Sequence, residues 1–166
     1  MNTKLIDIVR YLPTHVKEQY PKRHPGDIEL IAIHHEGDPN PETEATPWDL
    51  ARWHVDGLDR AGICYHSVVT SDGLRWKTNL DSTIAQHVGS THNPKAIGIC
   101  GTGNFSEQPP TMEQMLGLVL EALRYCRAYP KAEVVGHNEL GRTSCPGSLF
   151  DMDAFRQAIT MIRETR

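Results

Sequence analysis

The chain switches repeatedly between two hydrophobic periods. Nearly continuous apolar runs at 28–35 (IELIAIHH), 95–103 (KAIGICGTG) and 133–137 (EVVGH) predict buried strands. CYHSVVT and LRWKT flank Ser71-Asp72-Gly73, and Asp-Gly between strand-like runs predicts a hairpin. Helical spacing takes over elsewhere. After Thr46-Pro47, a capping residue followed by the residue favoured at the first helical position, Leu50, His54 and Leu58 share one face. Met115, Val119, Ala122 and Cys126 stripe a long helix opened by Thr111, with Gln114 three residues later to complete a capping box. Met152, Phe155, Ile159 and Ile162 stripe a final helix. Residues 3–11 predict a short amphipathic helix stopped by Pro13, and 21–27 and 36–45 predict loops. Strands that alternate with helices, interrupted by one hairpin, predict an α/β fold with a mixed central β-sheet flanked by helices. The expected division is an N-terminal helical segment and loop over 1–27 and one main domain over 28–166.

Composition narrows the function classes. The 166 residues suit one domain, and 39% hydrophobic residues are enough to bury a core without disulfides. No stretch approaches the ~18 apolar residues of a membrane span, so no membrane insertion is expected. A net charge of -4 argues against a dominant role in binding nucleic acid. The opening MNTKLIDIVRYLP has no apolar core followed by a small-residue cleavage site, so no signal peptide is read and synthesis in the cytoplasm is expected. Cys64, Cys100 and Cys126 lie in apolar strands or helices and are expected to be buried free thiols.

The candidate chemistry rests on histidines at strand ends. His34 and His35 end one predicted strand, His137 ends another, and Cys145 follows eight residues later. Histidine and cysteine are the preferred zinc ligands, and three protein ligands leave a position open for catalysis. Side chains alternate along a strand, so His34 shares a face with Leu30 and Ala32, and His35 with Ile31 and Ile33. Only one of the pair can point into a given cleft. Arg142 and Pro146-Gly147 around Cys145 suggest a tight turn in a positive environment that favours thiolate.

Four segments in order, IAIHHEG, CYHSVVTSDG, NPKAIGICGTGNF and VVGHNELGRTSCPGS, resemble the zinc-dependent N-acetylmuramoyl-L-alanine amidases of the amidase-2 type. These include short phage endolysins and the peptidoglycan recognition proteins. The resemblance covers about residues 28–160. It implies one zinc ion held by His34, His137 and Cys145, with Tyr65 beside the metal as an oxyanion donor. It also implies that Thr143, two residues before the zinc cysteine, contacts substrate or intermediate. His35, His66, His87 and Asn93 are expected along the substrate cleft, and Trp53 is expected to pack its helix, with stacking on sugar as the alternative. Glu36-Gly37 replaces the Thr-Ala that commonly follows the histidine pair.

The implied function is hydrolysis of the amide between N-acetylmuramic acid and L-alanine in peptidoglycan, by a monomer acting on the bacterial cell wall. A single catalytic unit of this kind resembles a phage or prophage endolysin, with a bacterial autolysin as the alternative. Two rival readings come from other classes. A peptidoglycan-binding module without catalysis usually lacks the cysteine, which this chain has. A cysteine hydrolase using Cys145 and His137 would survive a chelator, whereas a zinc amidase would not.

Overall fold

The structure is a computed structural model that describes residues 4–37 and 44–165. Six strands form one mixed sheet in the order β1-β4-β3-β5-β2-β6. These are β1 (Leu5–Asp7), β2 (Leu30–His35), β3 (Ser67–Val69), β4 (Arg75–Lys77), β5 (Ala96–Gly101) and β6 (Glu133–Gly136). The helices are α1 (Pro47–Arg52), α2 (Met112–Ala128), α3 (His137–Leu140) and α4 (Met152–Glu164). Every sheet pairing is parallel except β3 with β4, the hairpin that Asp72-Gly73 predicts.

The strand β2 is buried on both faces, and its alternation divides the protein. Ile31 and Ile33 enter the larger core with Ile97, Ile99, Leu118, Leu123, Phe155 and Ile159, beneath α2 and α4. Leu30 and Ala32 point the other way, toward Val88, Val135 and Leu140. A second cluster, Ile8, Leu12, Leu50, Ala51, Ile63, Val68 and Cys100, seats α1 against that opposite face. Cys64, Cys100 and Cys126 are buried and free, as expected.

Two expectations change. The predicted helix over 3–11 is instead the edge strand β1 followed by a single 3-10 turn, Val9–Tyr11; Thr3 lies outside the described residues. The N-terminal segment is therefore part of the same sheet. It is also tied in by Arg23, which donates to the carbonyls of Asp81, Asn93 and Ala96. Thr111 caps α2 through the Gln114 N–H, but the Gln114 side chain does not close a capping box. Its buried amide donates to the Val69 and Thr102 carbonyls, bracing α2 on the sheet. Of the predicted 36–45 loop, residues 38–43 lie outside the described residues. Its described flanks are pinned: Glu36 accepts from the Gly103 N–H, and Glu44 from the Ser71 N–H and the Ser71 and Thr102 hydroxyls.

Candidate metal centre and active site

The carboxyl ends of β2 and β6 meet at one edge of the fold, where ligands collect in open α/β sheets. His34 is the penultimate residue of β2, and His137 opens α3 directly after β6. Cys145 arrives on the following loop, which is tied down because the Asn138 N–H donates to the Cys145 carbonyl at 2.8 Å. One ligand atom from each of His34, His137 and Cys145 lies within 4.8 Å of the other two. Among the described residues this is the group of three that could hold a metal ion. Cys145 Sγ stands 3.6 Å from His34 Nδ1 and accepts from the His35 N–H at 3.4 Å.

Burial dominates the electrostatics. Desolvation pushes the Cys145 thiol up to about 11, and only the His35 amide opposes it. The expected thiolate-favouring environment is therefore not supplied by the protein alone. Arg142 is exposed and does not figure among the causes. Desolvation lowers His137 and holds His34 well below its usual value, with neighbouring histidines adding to the effect on His34. Such a set, two neutral imidazoles and a thiol, could hold a cation that would draw off the thiol proton.

Alternation sends the two histidines to opposite faces of the sheet. His34 faces the cleft with Leu30 and Ala32. His35 turns to the α2 side, where its Nδ1 accepts from the Phe105 N–H at 2.9 Å and its ring packs on Phe105. His34→Ala should abolish metal retention, whereas His35→Ala should retain the metal. Removing the acceptor for the Phe105 amide should cost His35→Ala about 1–3 kcal/mol of stability. Metal content and melting temperature of the two variants check this directly.

The four residues expected to line the substrate cleft are all buried. Their polar atoms bond to protein instead. His66 Nδ1 accepts from the Gly98 N–H, so its ring proton sits on Nε2 and goes to the Thr83 carbonyl, with the Arg23 guanidinium 2.9 Å from the same nitrogen. His87 Nδ1 lies 3.0 Å from His34 Nε2. Asn93 Oδ1 accepts from the His87 and Val88 N–H groups. The structure thus gives the polar atoms of these four residues partners within the protein.

The Tyr65 ring centroid lies 5.2 Å from that of His34. Burial raises its phenol well above the usual value, and its hydroxyl bonds to the Cys100 thiol. Thr143 is exposed, and its oxygen accepts from the Cys145 N–H at 3.2 Å, leaving its own proton free to donate.

One residue beside Tyr65 escaped the sequence reading as a site residue. His54 is buried against Tyr65, ring centroids 5.5 Å apart, with Nδ1 accepting from the Cys64 N–H. Trp53 does pack its own helix but is 58% exposed. The chain from Trp53 to Gly57 forms a π-helical turn, and the indole lies where a Gly57 Cβ would be, 2.5 Å from its Cε3. A groove of about 630 Å³ runs beside Tyr65, walled by Trp53, His54, Leu58, Leu50 and Glu36. The only sequence signal for His54 was its place on the Leu50–Leu58 stripe.

The buried histidines make a pH prediction. Desolvation lowers His54 to about 4 and His66 to about 3, both well below the ~6.5 of an unfolded chain. Their neutral forms stabilise the fold above that value, and this stability is lost as pH falls through it. The loss approaches ~1.4 kcal/mol per pH unit per group. Urea unfolding of the metal-stripped protein should lose about 3 kcal/mol between roughly pH 6.5 and 5 from these two residues. A stability that stays flat over this interval would show that both rings take up protons in the folded state.

The fold thus brings a His-His-Cys cluster to its strand ends, beside a groove. A family model described as N-acetylmuramoyl-L-alanine amidase, Amidase_2, matches residues 24–148, and the chain belongs to that family. Peptidoglycan recognition protein 1 of Bos indicus is 31% identical over 102 residues, which is 60% of this chain and 54% of that protein. This chain thus spans little more than half the length of that relative. The structure of the N-acetylmuramoyl-L-alanine amidase LysC from Clostridium intestinale URNW superposes with a TM-score of 0.78 at 23% identity, over 96% of this chain and 99% of that one. The Ph2119 endolysin from a Thermus scotoductus bacteriophage gives 0.75 at 25% identity, over 94% and 99%.

Proposed function

We propose that this chain cleaves the amide between the lactyl group of N-acetylmuramic acid and L-alanine in peptidoglycan, as a zinc amidase of endolysin type. The observation that carries the proposal is the convergence of His34, His137 and Cys145 from three separate segments. Two nitrogens and one sulfur suit zinc, and three ligands leave a fourth position for water or substrate. When bound, zinc supplies Lewis acidity, acidifying its water toward ~7 and polarising the amide carbonyl.

The chain's own residues provide the rest. Tyr65 donates its hydroxyl to the oxygen that gains charge as the amide carbon becomes tetrahedral. Thr143 donates its free proton to the substrate beside it. The Trp53, Leu58 and Tyr65 wall of the groove gives the substrate an apolar surface, and His54 keeps the Tyr65 ring in place. The phage or prophage setting, action on the bacterial cell wall and function as a monomer are parts of the same proposal. Among the described residues no helix is long and apolar enough to cross a membrane.

The alternatives meet specific obstacles. A binding module would have no use for a complete three-ligand set. A cysteine hydrolase needs a thiolate, but the Cys145 thiol is buried and pushed up to about 11. Elemental analysis of the purified protein tests the zinc proposal: about one zinc per chain is expected. A chain that is active with no metal, and stays active in chelator, sinks it.

A further inference from the structure

We infer that His87 is a positioning residue that fixes which nitrogen of His34 faces the metal site, and that Gly98 makes room for it. The inference rests on the zinc reading above, but its proton arrangement follows from atoms that can act in one way only. The Ala96 carbonyl, 3.4 Å from His87 Nε2, can only accept, so that nitrogen carries the His87 proton. A neutral His87 then offers Nδ1 as an acceptor. His34 Nε2, 3.0 Å away, must be the donor. With its proton on Nε2, a neutral His34 has its lone pair on Nδ1, the atom that faces Cys145 Sγ. The relay from the Ala96 carbonyl through His87 thus ends in a lone pair aimed at the ligand trio.

The surroundings hold this relay in register. Asn93 Oδ1 takes both the His87 and Val88 N–H groups, at 3.0 and 2.9 Å, and so fixes the backbone that carries the ring. Strand β5 passes directly beneath. A Cβ at Gly98 would stand 2.8 Å from His87 Nδ1 and 2.9 Å from its Cγ, so the ring occupies the space of the missing methyl. His66 closes the far side edge-on, with ring centroids 5.6 Å apart. An outer acceptor of this kind orients a ligating histidine, selects its tautomer and raises its basicity, and losing one typically weakens metal binding ~10–100-fold.

The test is a zinc titration in competition with a chromophoric chelator, paired with long-range ¹H–¹⁵N spectra of the metal-free protein. His87→Ala should bind zinc about 10–100-fold more weakly than wild type while the circular dichroism is unchanged. His87→Asn, whose amide oxygen can stand near the lost Nδ1, should recover most of that affinity. Gly98→Ala should weaken zinc in the same direction although it alters no polar side chain. The spectra should show a single His34 tautomer, protonated on Nε2, in wild type and His87→Asn, and a mixture in His87→Ala. A His87→Ala chain that binds zinc as tightly as wild type overturns the inference. So does a wild-type His34 protonated on Nδ1. Wild type that takes up no zinc refutes the metal reading instead, and the spectra then judge the relay by themselves.

Discussion

Cys145→Ser should lose zinc and activity together. The serine hydroxyl is nearly isosteric but stays protonated at neutral pH, so the site loses its one anionic ligand. What remains is two neutral imidazoles, His34 and His137, which cannot offset the charge of a divalent cation. Lewis acidity contributes several kcal/mol to transition-state stabilisation, so turnover should fall on the order of 10³-fold or more. The fold should survive. The backbone bonds that hold this loop, Asn138 N–H to the Cys145 carbonyl and Cys145 N–H to Thr143 Oγ1, do not involve sulfur. Metal content, turnover and melting temperature measured on one preparation check the prediction. A variant that keeps full zinc and full turnover would show that the ligand set is wrong.

Tyr65→Phe should lose activity and keep the metal. The change removes one hydroxyl and leaves the ring between His34 and His54, so packing is conserved. Loss of one preorganised donor costs on the order of 10²–10³ in turnover in well-studied hydrolases. In the substrate-free protein this hydroxyl bonds to the Cys100 thiol, a weak partner that a developing oxyanion can displace. Because the lost interaction belongs to the transition state, the expected fall is in kcat, with KM little changed. Near-wild-type turnover would assign Tyr65 to the scaffold. A parallel fall in melting temperature and activity would do the same.

The ligand trio was named from the family resemblance, while strand periodicity, which is local, said only that one histidine of the pair could face a given cleft. Two residues per repeat along β2 put His34 with Leu30 and Ala32, and the fold keeps that parity. The hairpin and the long helices were legible because their patterns are local too. Strand β1 was not. Its three residues share spacing with a helical turn, and what makes Leu5–Asp7 a strand is pairing with Arg75–Lys77, some seventy residues away. The roles of His66, His87 and Asn93 were hidden likewise. His87 and Asn93 sit in a segment without clear period, and the partners of His66 and His87 (Arg23, His34 and the backbone around Gly98) come from distant parts of the chain. The Trp53 turn depends on a π-helical register that no periodic pattern announces.

The most direct test of the account is analysis of the products formed from purified peptidoglycan. An amidase acting at the proposed bond releases new L-alanine amino termini and leaves the glycan strands uncut. The account predicts that these amino termini accumulate with the zinc-loaded enzyme, stop when a chelator removes the metal and resume when zinc is restored. New reducing sugar ends, new amino termini on any residue other than L-alanine, or cleavage that ignores the chelator would contradict it.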